Sequence, residues 1–305
     1  MGLTIGSPAV AAAPPRRAAA TPRWRRAAPR VLLYLGLAAG AVPFAVPLLW
    51  LISTSLKPES DVFLFPPNLV PSSVEWINYP EALVRFPFVS GLRATMIIAI
   101  GVEVGRLFSA PLAAYAFARL RFPLRDPLFI VVLATMMLPY HVTLIPQYLV
   151  FRDLGWLNTF LPLTVPAFLG SGAFYIFLLR QFFLGIPKEY DDAAEIDGCS
   201  PLGTYWRIIL PMSKPAIGAV AIFTFMHEWN DYFAPLIYLN RPENYTLALN
   251  FKIWELTQQS GLGYRPQPYN RIMAVATVIT LIPMVVFFLT QRYFIRGVVI
   301  SGLKG

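Results

Sequence analysis

The chain has 305 residues, of which 56% are apolar and 13% are charged, and its mean hydropathy is +0.57. A soluble domain carries about 25% charged residues, so this composition is typical of a membrane protein and excludes an intrinsically disordered chain. A single cysteine, Cys199, excludes a disulfide framework, and the formal net charge of +9 leaves nucleic acid open as a partner until the basic residues are located.

Six stretches are long and apolar enough to cross a bilayer, which takes about 20 residues. They are residues 31–54, 90–117, 128–148, 160–182, 215–239 and 272–294. Residues 1–29, rich in Ala, Pro and Arg, predict a disordered cytoplasmic tail. A cleaved signal peptide is the alternative, but the apolar run that follows exceeds the usual length of about 7 to 15 residues. Residues 30–305 are then one membrane domain.

The distribution of lysine and arginine predicts the orientation of these spans. With the N-terminus inside the cell, the cytoplasmic segments hold about twice as many basic residues as the outer segments. The predicted fold class is therefore an all-α membrane protein with six transmembrane helices and both termini in the cytoplasm. Because most of the positive charge is accounted for by the orientation of the spans in the membrane, the sequence disfavours nucleic acid as a partner.

The loop between spans four and five, residues 184–214, has the signals of internal structure. Pro187 suits the first turn of a helix, and the acidic residues that follow it suit the positive end of that helix. Gly198 is a natural left-handed stop. Ser200 then caps a second helix with Pro201 at its first position. The loop is predicted to form two short helices hinged at Gly198.

The first of these helices is predicted to be amphipathic. Tyr190, Ala193 and Ala194 share one face by helical spacing, and acidic residues occupy another. Small residues allow a partner surface to approach closely, which is typical of a docking element. A surface helix lying on its own bundle fits the same pattern equally well.

This loop resembles the conserved cytoplasmic loop of inner-membrane subunits of binding-protein-dependent ABC importers. The family pattern is E-A-A, three residues, G, nine residues, then I-x-L-P. The matching residues here are Asp192-Ala193-Ala194, Gly198 and Ile208-Ile209-Leu210-Pro211. Asp192 replaces the usual Glu, which keeps the charge and shortens the side chain.

Other stretches resemble the sugar-importing branch of this family, in particular the smaller maltose-transporter permease. They are Ala113-Ala114-Tyr115-Ala116, Leu138-Pro139, Glu228-Trp229-Asn230-Asp231 and the tail from Gln291 to Gly305. The resemblance covers about residues 31–305.

The resemblance implies a permease in a bacterial inner membrane that translocates a sugar or oligosaccharide delivered by an extracytoplasmic binding protein. A second permease subunit, two ATPase subunits and membrane lipid are its implied partners. The sequence has no G-x-x-x-x-G-K-[ST] loop, so no enzymatic activity and no bound cofactor are expected, and ATP and Mg²⁺ belong to the partner ATPases. Coupling to the ATPases is expected over residues 189–211, at Glu189, Tyr190, Asp192, Ala193, Ala194, Asp197, Gly198, Leu210 and Pro211.

Polar residues inside the predicted spans are candidates for a translocation path, because such residues are costly in a bilayer. The candidates are Glu103, Arg106, Trp229, Asn230 and Asp231. Glu103 and Arg106 lie one helical turn apart, so they form either a local ion pair or part of the path. Trp229 and Asn230 suit a sugar ring and its hydroxyls, or serve helix packing.

Two further expectations concern binding sites. The resemblance places contact with the binding protein in the outer loop 240–269, at Tyr245, Trp254 and Tyr264. No metal site is expected, because the two histidines lack cysteine or carboxylate partners at ligand spacing.

Two other functions remain open from the sequence. The same machinery could import a polyol or a glycerol phosphate ester. A protein of a different class, an ion-coupled secondary carrier, would use Glu103, Glu228 and Asp231 as ion sites.

Overall fold

The computed structural model describes the backbone of residues 23–259 and 269–302, and the side chains of residues 30–257 and 269–291. The helices are α1 (Arg23–Ser55), α2 (Asn78–Arg85), α3 (Phe88–Arg119), α4 (Arg125–Thr135), α5 (Tyr140–Asp153), α6 (Leu161–Phe168), α7 (Ala173–Gly185), α8 (Glu189–Ile196), α9 (Pro201–Thr204), α10 (Leu210–Met212), α11 (Lys214–Asn230), α12 (Phe233–Tyr238), α13 (Leu247–Gln259) and α14 (Tyr269–Gly302). The described residues contain no strand.

The chain divides into two units, residues 1–50 and 51–305. The first unit contains most of α1. Of the predicted tail, residues 1–22 lie outside the described residues, and residues 23–29 belong to α1. All packing described below lies within the second unit.

Four stretches of the described chain are long and apolar enough to cross a membrane on their own, and two bent helix pairs bring the number to as many as six. Each predicted span overlaps one of these six. The single stretches are Arg30–Ser55, Phe88–Arg119, Leu161–Gly185 and Tyr269–Gln291, and the pairs are Arg125–Thr135 with Tyr140–Asp153 and Pro201–Met212 with Lys214–Asn230.

Two stretches that hydropathy predicts as continuous spans are interrupted in the structure. Helices α4 and α5 lie at 97° to each other, and Pro139, with a ψ of 134°, immediately precedes the first residue of α5. The predicted span 215–239 is also discontinuous. Helix α11 ends at Asn230, because Asp231 is extended and its carboxylate accepts hydrogen bonds from the first amides of α12.

Helix α3 lies at the centre of the second unit and packs against α6, α7 and α11. Two glycines of α3 allow the close approach of α6. A Cβ added at Gly101 would lie 2.9 Å from Thr164, and one added at Gly105 would lie 2.6 Å from the Phe168 ring. Glycine spacing of this kind favours close helix contact in membranes, and here it sets the distance between these two helices.

The two helices predicted in the loop 184–214 are present, and their hinge is confirmed. Helix α8 ends at Ile196, and Gly198 adopts a left-handed φ of +75°. Ser200 caps α9 by accepting a hydrogen bond from the Gly203 amide at 3.1 Å. A short π-helical segment, Tyr205–Ile209, then leads into α10, where Pro211 has no amide hydrogen to donate to the helix.

Candidate functional site

Helix α8 is held to the helical bundle by one arginine from the end of α3. The Arg119 guanidinium lies 2.6 Å from the Asp191 carboxylate and donates to the carbonyls of Phe183 and Ile186, each at 2.6 Å. The Arg119 side chain is 5% exposed. Burial raises the pKa of Asp191 above its ordinary value, and the positive charge of Arg119 opposes that rise. Arg119 thereby joins α3, α7 and α8.

A second contact holds α9 and the π-helical segment to the same helix. The Tyr115 hydroxyl donates to the carbonyl of Pro201 at 2.9 Å, and the Tyr115 and Tyr205 rings lie 5.1 Å apart. Tyr205 is almost fully buried in the core cluster that contains Phe183. This segment is therefore joined to α3 by packed side chains and not only by the chain connection.

The remainder of the segment faces outward and is partly apolar. Tyr190 is 45% exposed, Ile196 is 86% exposed and Leu202 is 63% exposed. Exposed apolar side chains beside acidic residues are typical of a protein-binding surface. We call the exposed side chains of Tyr190, Ile196, Leu202 and Trp206 the α8–α9 surface.

The predicted coupling residues divide between this outward face and the interior. Those that are exposed are Glu189, Tyr190, Asp192, Ala193, Asp197, Gly198 and Pro211. Ala194, which helical spacing places beside Tyr190, is 2% exposed and packs inward. Leu210 is half-buried against the core cluster of α3 and α7.

Inside the predicted membrane region, Arg106 forms an ion pair with a residue of another helix, whereas the sequence suggested Glu103 of the same helix. Its guanidinium lies 3.5 Å from the Glu228 carboxylate and 3.5 Å from the Thr224 hydroxyl, both on α11. The guanidinium also lies over the Tyr175 ring of α7, 4.5 Å from its centroid. The long Arg106 side chain thus crosses the interior and joins α3, α7 and α11.

The local Glu103–Arg106 ion pair is not formed among the described side chains. Glu103 instead lines an apolar groove of about 540 Å³ between α3, α11 and α14, and among the described lining residues Lys214 is the other charged one. One carboxylate oxygen of Glu103 is buried without a hydrogen-bond partner. Glu103 and Arg106 are neighbours by helical spacing, but the Arg106 side chain extends across the bundle to the Glu228 carboxylate.

The other candidate path residues have separate structural roles. Trp229 is 1% exposed and packs on Phe225 in a core cluster, with ring centroids 5.6 Å apart. The exposed Asn230 side chain donates to the Met226 carbonyl at 2.7 Å. Asp231 caps α12 and also lines a cavity. Of Trp229, Asn230 and Asp231, only Asp231 is among the described residues that line this cavity.

That space, which we call the Asp231 cavity, has a volume of about 750 Å³. It lies between the α4–α5 bend, the left-handed turn at Gly170 and Gly172 that separates α6 from α7, and the junction of α11 with α12. Volumes of this order hold small-molecule ligands in proteins. Its polar lining includes Gln147, Glu228 and Tyr238.

The candidate contacts for a binding protein lie on and near α13. Tyr245 is half-buried, and Trp254 packs its ring against Phe86 at 5.4 Å. Tyr264 lies outside the described residues. Nearby, Asn158 adopts a left-handed φ of 63°, and its side chain accepts hydrogen bonds from two backbone amides of the 239–244 loop.

Three residues that carry much of this geometry were not predicted as site residues from the sequence: Arg119, Tyr238 and Asn158. Arg119 is adjacent to the matched alanine motif, and a basic residue at a predicted cytoplasmic helix end is an ordinary orientation signal. No sequence pattern points to Tyr238, because its place on the cavity wall depends on the helices that surround it. Within the described residues, no group of three or more His, Cys, Asp and Glu side chains could hold a metal ion.

Comparison with known proteins places the chain among transport proteins. Residues 109–300 match the family of binding-protein-dependent transport system inner membrane components. The sn-glycerol-3-phosphate transport system permease protein UgpE of Agrobacterium fabrum is 33% identical over 88% of this chain and 96% of its own length. A probable ABC transporter permease protein of Pyrococcus horikoshii is 30% identical over 85% of this chain and 92% of its own length.

The fold agrees with a solved structure. A chain of a bacterial ABC transporter involved in the import of the acidic polysaccharide alginate superposes with a TM-score of 0.70. It is 24% identical, and the match covers 90% of this chain and 99% of that one. The family match extends over more than half of the chain and over the segment that contains Asp192, Ala193, Ala194 and Gly198. The chain belongs to the binding-protein-dependent inner-membrane family and is a permease of an ABC importer.

Proposed function

We propose that this chain is one of two permease subunits in an importer for a sugar or a related polyol, driven by two partner ATPase subunits. In this proposal the chain crosses the membrane six times with both termini in the cytoplasm. The α8–α9 surface binds an ATPase subunit, and an extracytoplasmic binding protein delivers the solute to the opposite face. The observation that carries the proposal is the exposed, partly apolar α8–α9 surface, anchored to the bundle by Arg119.

The proposed coupling is mechanical. Helix α8 contacts the rest of the chain through Arg119 and Ala194, so a force applied to its exposed face reaches α3 and α7 directly. Helix α3 in turn carries Arg106, which joins α7 and α11 in the interior. Closure of the ATPases would move α8, and this network would transmit the movement to the helices that border the Asp231 cavity.

The class of solute follows from the family and from the relatives. The similar UgpE proteins are named for sn-glycerol 3-phosphate transport, so a polyol or its phosphate ester stands beside a sugar in this proposal. The ion-coupled carrier considered from the sequence is not favoured, because the matched family transports with partner proteins.

The test begins with an affinity tag on the chain in its host. Gentle solubilisation should recover a second permease and an ATPase in stoichiometric amounts, with ATP hydrolysis that an extracytoplasmic binding protein stimulates. Recovery of the chain alone, with solute uptake driven by an ion gradient, would contradict the proposal.

A hinge variant tests the coupling. Gly198→Val forces a β-branched residue into a left-handed conformation, at a cost of about 1–3 kcal/mol, and should reduce the solute transported per ATP hydrolysed while membrane insertion is retained. Gly155→Val is the matched control, because Gly155 has a φ of +69° and, like Gly198, nothing within 4 Å of an added Cβ. Equal coupling ratios in the two variants would refute the role assigned to the hinge.

A further inference from the structure

The Asp231 cavity contains a buried hydroxyl, that of Tyr238, whose near neighbour is the Tyr140 hydroxyl. Tyr238 is 2% exposed, and its hydroxyl makes no hydrogen bond of normal geometry, although the Tyr140 hydroxyl is close to it on the same wall. The Tyr238 ring is fixed between Phe151, with centroids 5.3 Å apart, and Tyr148, which is stacked at 6.4 Å. The ring therefore holds its hydroxyl in place beside that of Tyr140.

The Tyr238 backbone is fixed as well. Its carbonyl accepts a hydrogen bond from the Asn158 amide at 2.8 Å. A buried, fixed hydroxyl that has only another hydroxyl near it and makes no hydrogen bond of ordinary geometry is unusual in a folded protein, and a ligand that bridges the two tyrosine hydroxyls would satisfy both. A hydroxyl of a transported solute can form such a bridge, because it both donates and accepts hydrogen bonds.

The charge of the cavity limits which solutes can bind there. Its described lining residues include the carboxylates Glu228 and Asp231 and the imidazole of His227, and none of them is lysine or arginine. The guanidinium of Arg106 lies behind this wall and is directed to Glu228, Thr224 and the Tyr175 ring. Phosphate and carboxylate ligands are normally held by arginine, lysine or clustered amides, so this cavity lacks the usual means of binding them.

The remaining lining suits an uncharged solute with many hydroxyls. Tyr140 and Trp156 contribute aromatic surface, on which the apolar face of a sugar ring packs, and Gln147 contributes an exposed amide. Asp231 retains acceptor capacity beyond the two amides that it caps.

We propose that the Asp231 cavity is a solute subsite that binds an uncharged, polyhydroxylated group and disfavours phosphorylated or carboxylated ones. This inference rests on the proposed importer function and narrows its substrate class. It differs from what the names of the similar proteins would suggest, since those name glycerol 3-phosphate and the acidic polysaccharide alginate.

The charge preference can be measured without knowing the natural solute. In the complete transporter with the background substitution Cys199→Ser, a thiol is introduced by Gln147→Cys, because Gln147 is an exposed side chain on the cavity wall. Cationic and anionic methanethiosulfonate reagents of similar size are compared at this thiol. Val70→Cys, at a 77% exposed position away from the described cavity lining, provides the reference ratio.

We expect the cationic reagent to react about tenfold faster than the anionic one at the cavity thiol, relative to the reference thiol. Asp231→Asn should reduce this preference, since the amide oxygen still caps α12 while the charge is gone. Maltose or glycerol should slow the modification, and sn-glycerol 3-phosphate at the same concentration should not. Tyr238→Phe, which keeps the ring and removes the hydroxyl, should abolish that protection.

Equal relative rates for the two reagents would overturn the inference, and so would protection by sn-glycerol 3-phosphate or by neither class of solute. The importer function is judged separately by the same preparation. If ATP hydrolysis drives uptake of sn-glycerol 3-phosphate, the importer function stands and the subsite inference fails. If no ATPase accompanies the chain, the importer function itself fails.

Discussion

The replacement Arg119→Met tests whether one side chain anchors α8 to the rest of the permease. Methionine keeps most of the length and apolar volume of the arginine stem, but it removes the ion pair to Asp191 and both hydrogen bonds to the carbonyls of Phe183 and Ile186. Removal of one partner of a buried ion pair costs about 3–5 kcal/mol. Asp191 is 26% exposed and regains some solvation, so we expect a loss of about 2–4 kcal/mol.

This loss should appear as local opening of α8. A change of 1.4 kcal/mol corresponds to a factor of ten, so the amides of residues 189–198 should exchange with deuterium roughly 30 to 1,000 times faster in the variant transporter. The coupling of ATP hydrolysis to transport should fall as well, because α8 would move without moving α3.

The control is Arg121→Met, which removes an exposed arginine two residues further along the chain. It removes the same charge from the same region and should leave exchange in α8 close to that of the wild type. Wild-type exchange in the Arg119→Met variant would refute the reasoning, because the anchor would then contribute nothing to holding the helix.

Three further changes test other parts of the structure. Gly105→Ala places a methyl group 2.6 Å from the Phe168 ring and should lower the thermal unfolding temperature of the purified transporter by separating α3 from α6. Glu228→Ala leaves Arg106 unpaired in the bundle interior, which should destabilise the protein by about 3–5 kcal/mol and reduce the yield of assembled transporter. Ile196→Asp should weaken ATPase binding at least about tenfold in a pull-down titration, while the permease itself stays folded, because this side chain is 86% exposed.

Each of these changes has a matched control elsewhere in the chain. Gly36→Ala adds a methyl group with nothing within 4 Å and should be neutral. Asp153→Ala breaks an ion pair whose carboxylate is 67% exposed, worth about 0–1 kcal/mol. Val84→Asp places a charge at an 85% exposed position on α2 and should leave ATPase binding intact. If a variant and its control gave indistinguishable results, the role assigned to that side chain would be refuted.

Several features could be predicted from short stretches of the sequence alone. The apolar lengths located each of the membrane-length stretches, because a bilayer demands about 20 apolar residues whatever the tertiary arrangement. The helix stop at Gly198 and the cap at Ser200 were also predictable, since both depend on backbone groups within a few residues.

Only the tertiary structure decided which residues meet across the bundle. Helical spacing suggested Glu103 as the partner of Arg106, but the crossing of α3 and α11 brings Glu228 within reach instead. Ala194 and Trp229 turned inward for the same reason, because burial depends on neighbouring helices and not on residue type. The Tyr238 hydroxyl is buried beside that of Tyr140 only because the α4–α5 bend, the turn between α6 and α7 and the α11–α12 junction come together there. Hydropathy predicts how apolar a helix is. The neighbours of each polar group depend instead on how the helices cross, which the sequence of one helix does not contain.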